Sequence, residues 1–307
     1  MLRRFLSHWQ NGLGLLLVAF YFFLAIAAAS IAPPTDPAKP EEYKFVGRIT
    51  NQILLPPNQQ WLLGTGLLDP FGQIDIFYSV VWGSRSALQF GLTTACATAI
   101  FGTLIGAISG YLGGFVDSFT MRMTDAFLTI PVIAGVWLIQ QVFFPPYPIY
   151  LEPPPIRALM EGLGLNPVML GFILFSWMPY ARLINANVAR LKNVDFILAS
   201  HSLGASKLRI IFKHVLPNTI SPAVVLVARD VGGMVILEAA FTFIGLGLGN
   251  VWGQMLVSNR NRIIGTAGNP LMYWWTYLPP TLALIFFGIG WNLLGDGLND
   301  ALNPHHS

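Results

Sequence analysis

Apolar stretches of about twenty residues recur along this chain with short polar segments between them, and no other feature restricts its fold so severely. A helix of about that length crosses the roughly 30 Å of a bilayer's hydrocarbon. There every backbone N–H and C=O must be satisfied internally, which leaves only helices or closed barrels. A barrel strand would alternate apolar and polar residues over about ten positions, whereas these runs are continuous. The expectation is an all-α integral membrane protein with about six transmembrane helices. Composition agrees, because only 10% of the residues are charged and 54% are hydrophobic, with a mean hydropathy of +0.59. Soluble globular chains carry about a quarter charged residues.

The spans are expected at residues 12–32, 88–112, 126–144, 167–184, 219–244 and 277–294. The first follows Arg3 and Arg4 and ends in Ala27-Ala28-Ala29-Ser30, which superficially resembles a cleavable signal peptide. It is longer than a signal core and more spans follow, so it reads as a retained helix. The polar, proline-marked stretch from Pro33 to about Ser84 is too charged to span and belongs outside the cytoplasm. With both termini cytoplasmic, Arg3, Arg4, Arg122, Arg182, Arg190, Lys192, Lys207, Arg209 and Lys213 fall inside. Lys39, Lys44, Arg48, Arg85, Arg157, Arg260 and Arg262 fall outside over a longer length, a modest positive-inside bias.

The net charge of +3 and sequence pI of about 9.1 do not point to nucleic acid. The basic residues are scattered or sit beside spans, with no aromatic-laced basic patch. The single cysteine, Cys96, lies in an apolar run, which excludes a disulfide within the chain. Gly102, Gly106, Gly110 and Gly114 are four apart, a spacing that brings small residues onto one helix face for close helix packing. Gly245, Gly247 and Gly249 have no preceding strand and read as a span ending in a loop rather than a dinucleotide fingerprint.

One long polar insert, residues 185–217, lies on the cytoplasmic side. Asn193-Val194-Asp195 offers helix-starting side chains. Gly204 permits a reversal, after which Ser206 caps a second short helix, residues 207–215, closed by Leu216-Pro217. The result is a compact knob of two short helices.

The order Leu198-Ala199-Ser200, three residues, Gly204, nine residues, His214-Val215-Leu216-Pro217 resembles the EAA signature of permeases of ATP-binding-cassette importers. Leu63-Gly64-Thr65, Gly83-Ser84-Arg85, Trp177-Met178-Pro179-Tyr180-Ala181-Arg182, Phe243-Ile244-Gly245-Leu246-Gly247, Trp252-Gly253 and Asn292-Leu293-Leu294-Gly295-Asp296-Gly297-Leu298 narrow it. They are similar to the C-type permease of the dipeptide, oligopeptide and nickel importers, from about Trp61 to the end. That resemblance implies a type I importer permease (MetI-like) fold, with residues 1–87 as an N-terminal part, 88–307 as the permease domain and coupling helices at about 195–215. It implies that the knob seats in an ATP-hydrolysing subunit through Leu198, Ala199, Ser200, Leu203, Gly204, Ala205, Ser206, Lys207, His214, Leu216 and Pro217. Two departures stand out: Leu198 and Ser200 replace the usual glutamate and alanine, and residues 66–75 are longer than the corresponding loop, with Ile74 where an arginine is usual.

The implied partners are a homologous second (B-type) permease subunit, one or two ATP-binding subunits, an extracytoplasmic substrate-binding protein and membrane lipid. The implied location is a bacterial cytoplasmic (inner) membrane. A phosphate-cradling loop needs Gly-Lys followed by Ser or Thr, yet the five lysines follow Ala38, Tyr43, Leu191, Ser206 and Phe212. No cofactor is therefore expected on this chain, ATP and magnesium being used by partner subunits, and no catalytic residue or enzyme activity is expected.

Arg229, Asp230 and Glu238 interrupt the fifth span, where an uncompensated charge costs at least about 2.5–3.5 kcal/mol. They read as lining for a translocation path, with Glu238 near its outer mouth, or as partners for the second permease. Asp296 and Asp300 read as a solvated helix end. His201, His214, His305 and His306 show no metal-binding spacing. A secondary transporter driven by an ion gradient is the alternative function, but no internal repeat favours it. An intramembrane enzyme would need a nucleophile and base, or a metal set, inside the spans.

Overall fold

The computed structural model describes residues 5, 8–36, 42–47, 54–69, 71–143, 159, 162, 167–246, 249–265 and 268–302. Arg3, Arg4, Lys39, Arg48, Arg157, Gly247, His305 and His306 lie outside them. Among the described residues four helices are long and apolar enough to cross a membrane, and two further helix pairs qualify if each bent pair counts as one span. That gives four to six spans.

The chain divides into two compact units, one made of residues 8–92 and 231–294, the other of residues 1–7, 93–230 and 295–307. In the first unit, α1 (Trp9–Ile31) is apolar apart from Gln10 and Asn11 in its first turn and Ser30 in its last. Gly14 of α1 lies against Leu293, where an added Cβ would sit 2.6 Å from the leucine Cβ, and one at Gly290 would sit 2.8 Å from the Cβ of Leu17. Tyr21 inserts here, its hydroxyl donating to the Ala283 carbonyl at 2.7 Å and its ring packing edge-on against Trp252 and Phe287.

Three short strands follow, β1 (Phe45–Gly47), β2 (Thr65–Leu68) and β3 (Gly72–Asp75), forming an antiparallel sheet in the order β1-β3-β2. The unusual stretch from Gly66 to Asp75 is thus a hairpin, with Gly66 opposite Ile74 and Leu68 opposite Gly72. Ile74 is fully buried, so an apolar side chain belongs there. Asn259 secures β2 through hydrogen bonds with both the N–H and the carbonyl of Leu67.

The next helix, α2 (Ile76–Leu112), begins twelve residues before the expected start at Leu88. Asp75 explains why, since its Oδ1 accepts the Tyr78 N–H and caps the first turn. The polar residues that lowered the apparent hydropathy are internally satisfied: Ser79 donates to the Asp75 carbonyl and Ser84 to that of Val81.

In the second unit α3 (Gly114–Leu128), α4 (Val132–Phe143), α5 (Pro167–Ser176) and α6 (Met178–Leu191) follow. The expected third span is a correction. It begins inside α3, and the pair α3 and α4 bends by 87° just before Pro131, whose ring disfavours helix at the preceding residue. Packing of α2 on α6 is set by glycine. Added Cβ atoms at Gly102 and Gly106 would stand 2.3 Å from the carbonyl oxygens of Trp177 and Ala181, and one at Gly110 would stand 2.9 Å from that of Asn185. Steps of four on one helix meet steps of four on the other, and the backbones touch. Gly114 does not join the stripe. It lies past the end of α2 at φ +57° with open space around its Cα, so it serves the turn.

Candidate functional site

The polar insert folds as α7 (Asp195–Ser202), α8 (Lys207–Ile210), a π-helical turn (Ile211–Val215) and α9 (Leu216–Thr219). The long helix α10 (Ser221–Phe243) follows after a bend of 61°. Between α7 and α8 stands Gly204 at φ +80°. The Gly204 N–H donates to the His201 carbonyl and the Ala205 N–H to that of Ser200, at 3.0 and 3.2 Å. This 6→1 and 5→2 pair is a Schellman turn, and its left-handed position is where glycine is unstrained. An added Cβ would meet nothing within 4 Å, so dihedral strain alone selects against other residues.

Ser206 caps α8 by accepting the Arg209 N–H at 3.4 Å. The start of α7 differs from expectation, because Val194 holds the cap position without a side-chain bond and Asp195 instead lies in the first turn. There its charge favours the helix dipole. Leu216 and Pro217 also differ. They do not close the second helix, which continues to Thr219. Proline cannot donate to the carbonyl four residues back and clashes with it, but the π turn shifts the register so that Leu216 N–H donates to the Ile211 carbonyl. The carbonyls around the irregularity are taken by side chains. Asn218 Nδ2 donates to His214 at 2.6 Å and Thr219 Oγ1 to Val215 at 3.0 Å.

One face of this segment is anchored. Ile197, Ile210, Ile211 and Val215 are buried in a cluster with Tyr180, Ile184 and Val188 of α6, Ala99 and Ala107 of α2, and Ala223 of α10. The opposite face is open, with Leu203 89% exposed at the turn. The buried side of the segment is therefore close-packed against α2, α6 and α10.

The charges expected in the fifth span each have their own setting. Arg229 pairs with Asp296 of α13 (Leu278–Leu302), and both side chains are about half exposed. Asp296 is thus half exposed near a helix end, as expected, and in addition an ion-pair partner of Arg229. Asp230 accepts the Tyr180 hydroxyl at 2.6 Å. Glu238, expected near the mouth of a path, is 1% exposed and accepts Asn250 Nδ2 at 2.6 Å. Asn250 in turn caps α11 (Val251–Ser258) by accepting the Gly253 N–H. Asp230 belongs to one unit and Glu238 to the other. Sequence reading missed the polar set around Asn185, which donates to Ser109 at 2.9 Å and to Asp117 at 2.6 Å. Lys192 beside it donates to the Gly110 carbonyl at the end of α2.

Residues 102–306, a stretch that takes in the whole anchored turn, match the binding-protein-dependent transport system inner membrane component family. The chain belongs to that family. This permease is 31% identical over 304 residues to the nickel transport system permease protein NikC of Escherichia coli (strain K12), covering 97% of this chain and 95% of that protein. It is 31% identical over 306 residues to the glutathione transport system permease protein GsiD of Pectobacterium atrosepticum, covering 98% and 89%. A dipeptide transport system permease protein, DppC of Alkalihalophilus pseudofirmus, is 29% identical over 298 residues, covering 95% and 84%. The permease is thus a multi-pass membrane subunit of a binding-protein-dependent importer. Its system includes a binding protein and an ATP-hydrolysing component.

Proposed function

We propose that this permease subunit forms half of a translocation channel for peptides or a related small solute, and that residues 195–215 are its coupling helices. In this reading a separate subunit binds ATP and magnesium, grips the turn at Gly204, and biases an inward-open to outward-open equilibrium through its differential contacts. This chain binds no cofactor and catalyses no reaction. Both termini lie in the cytoplasm, residues 88–307 form the transport domain, and a homologous second permease completes the channel. The solute class follows the relatives, which are named for dipeptide, glutathione and nickel transport. Each of the three charges in the fifth span has a polar partner, Asp296 for Arg229, Tyr180 for Asp230 and Asn250 for Glu238, and Arg229 and Asp230, which are not fully buried, are assigned to the path.

The observation that carries the reading is the Schellman turn with one face buried on α2, α6 and α10 and its tip in the open. A left-handed backbone costs a β-branched residue roughly 1–2 kcal/mol, whereas asparagine adopts it more readily. Gly204→Val is expected to insert normally yet abolish solute uptake and uncouple ATP hydrolysis in the reconstituted importer. Gly204→Asn should retain most uptake. Normal stimulated hydrolysis in Gly204→Val would reject the coupling assignment.

A further inference from the structure

The anchored segment has an outward side whose chemistry specifies what it can touch. Leu203 is 89% exposed, Leu208 63%, Phe212 54% and Leu198 51%, all within fifteen residues of chain. Isolated exposed leucines need no explanation, but an apolar cluster of this kind marks a contact surface. Lys207, Arg209 and Lys213 are exposed around it, and among the described residues none of the three has a carboxylate partner. Between residues 195 and 215 the sole carboxylate is Asp195, already placed at a helix start. The buried residues of the segment pack on α2, α6 and α10, which leaves the exposed side chains free to meet a partner.

We infer that the surface receiving this segment is an apolar socket with an acidic rim on the ATP-hydrolysing subunit. The socket accepts Leu203 and its neighbours, and the rim carboxylates face Lys207, Arg209 and Lys213. This rests on the coupling reading above and adds to it the polarity of the contact. The apolar part holds the subunit in place, while the charges set approach, register and choice of partner. With a leucine at position 198 the contact does not depend on an acidic side chain from this chain.

The test uses the complete importer in lipid nanodiscs, with its own ATP-hydrolysing subunit purified separately and added back. Leu203→Asp should weaken binding of that subunit by about tenfold or more at every salt concentration, since a carboxylate in an apolar socket is unpaired. The triple variant Lys207→Glu, Arg209→Glu, Lys213→Glu should weaken it by about tenfold at roughly 0.1 M salt, with the difference closing near 1 M as screening shortens from about 10 to about 3 Å. Lysines placed on the rim should restore the triple variant. Unchanged binding by Leu203→Asp, or tighter binding by the triple variant, overturns the inferred polarity. If the triple variant instead loses only adsorption to phosphatidylglycerol vesicles, the basic residues serve lipid headgroups and the inference fails. A separate readout isolates the underlying assignment: in a Cys96→Ser background, Leu203→Cys should cross-link to the ATP-hydrolysing subunit. No cross-link would reject the coupling reading itself, whereas a cross-link with unaltered affinities would reject only the socket.

Discussion

Single residues act here through backbone conformation and burial more than through exposed chemistry. Asp75 is an example, since it caps α2 from a buried position. Burial pushes its carboxyl above the ordinary range, opposed by amide bonds from Tyr78 and Phe77 and by the Lys44 charge. In the window between its unfolded and raised folded values the folded chain binds more protons, so stability falls as pH rises through that window. Above it the cost of keeping the buried charge is fully present. Asp75→Asn keeps a capping oxygen without the charge. Thermal unfolding in detergent should show it more stable than the parent at neutral pH, with the advantage shrinking as pH falls toward the ordinary carboxylate value. Equal midpoints at neutral pH would show that the amide bonds, not burial, dominate.

At the scale of elements, proline marks the breaks and glycine the contacts. The bends before α4 and α10 have Pro131 and Pro222 just before or at the start of the following helix, and Pro179 stands just past the one-residue break between α5 and α6. Pro217 is the exception, carried through by the π turn and the side chains of Asn218 and Thr219. These prolines were visible in the sequence, yet a hydropathy window averages across them, which is why the third span read as one straight run. The glycine stripe was legible at three of its four positions. Gly114 failed because α2 ends at Leu112, and a spacing rule holds only while the helix lasts. Gly106→Leu should force α2 from α6, since even a Cβ would stand 2.3 Å from the Ala181 carbonyl. The expected loss is at least about 2 kcal/mol, read as a lowered thermal midpoint in detergent. The same change at Gly114 should leave the packing of α2 on α6 intact.

For the molecule as a whole, the question is how a chain with so few charges disposes of those inside its helices. Arg229 lies eight residues into α10, about 12 Å from its start, and Asp296 lies near the end of α13. Gly295 makes room for the arginine stem, since an added Cβ would stand 2.7 Å from its Cγ. Both groups are half exposed, so the pair contributes only about 0–1 kcal/mol where water reaches it. An uncompensated charge at membrane depth costs more, about 2.5–3.5 kcal/mol. Arg229→Asp or Asp296→Arg alone should therefore lower the amount of chain inserted, and the double exchange should restore it. Restoration would be measured as membrane-integrated protein and as uptake. A double exchange no better than either single change would show that the two residues act separately.

Read alone, the chain determined its solvent, its helical class, the place of the reversal at Gly204 and the family that reversal resembles. Each depends on composition or on residues a few positions apart, where local geometry is decided. What Arg229, Asp230 and Glu238 meet was beyond such reading. Their partners are Asp296, Tyr180 and Asn250, side chains twelve to sixty-seven positions away, and only the packing of whole helices brings such groups within hydrogen-bonding reach. The early start of α2 and the hairpin before it were likewise settled in three dimensions. A cap and a buried strand satisfied polar groups that, counted one by one, made the segment read as a loop.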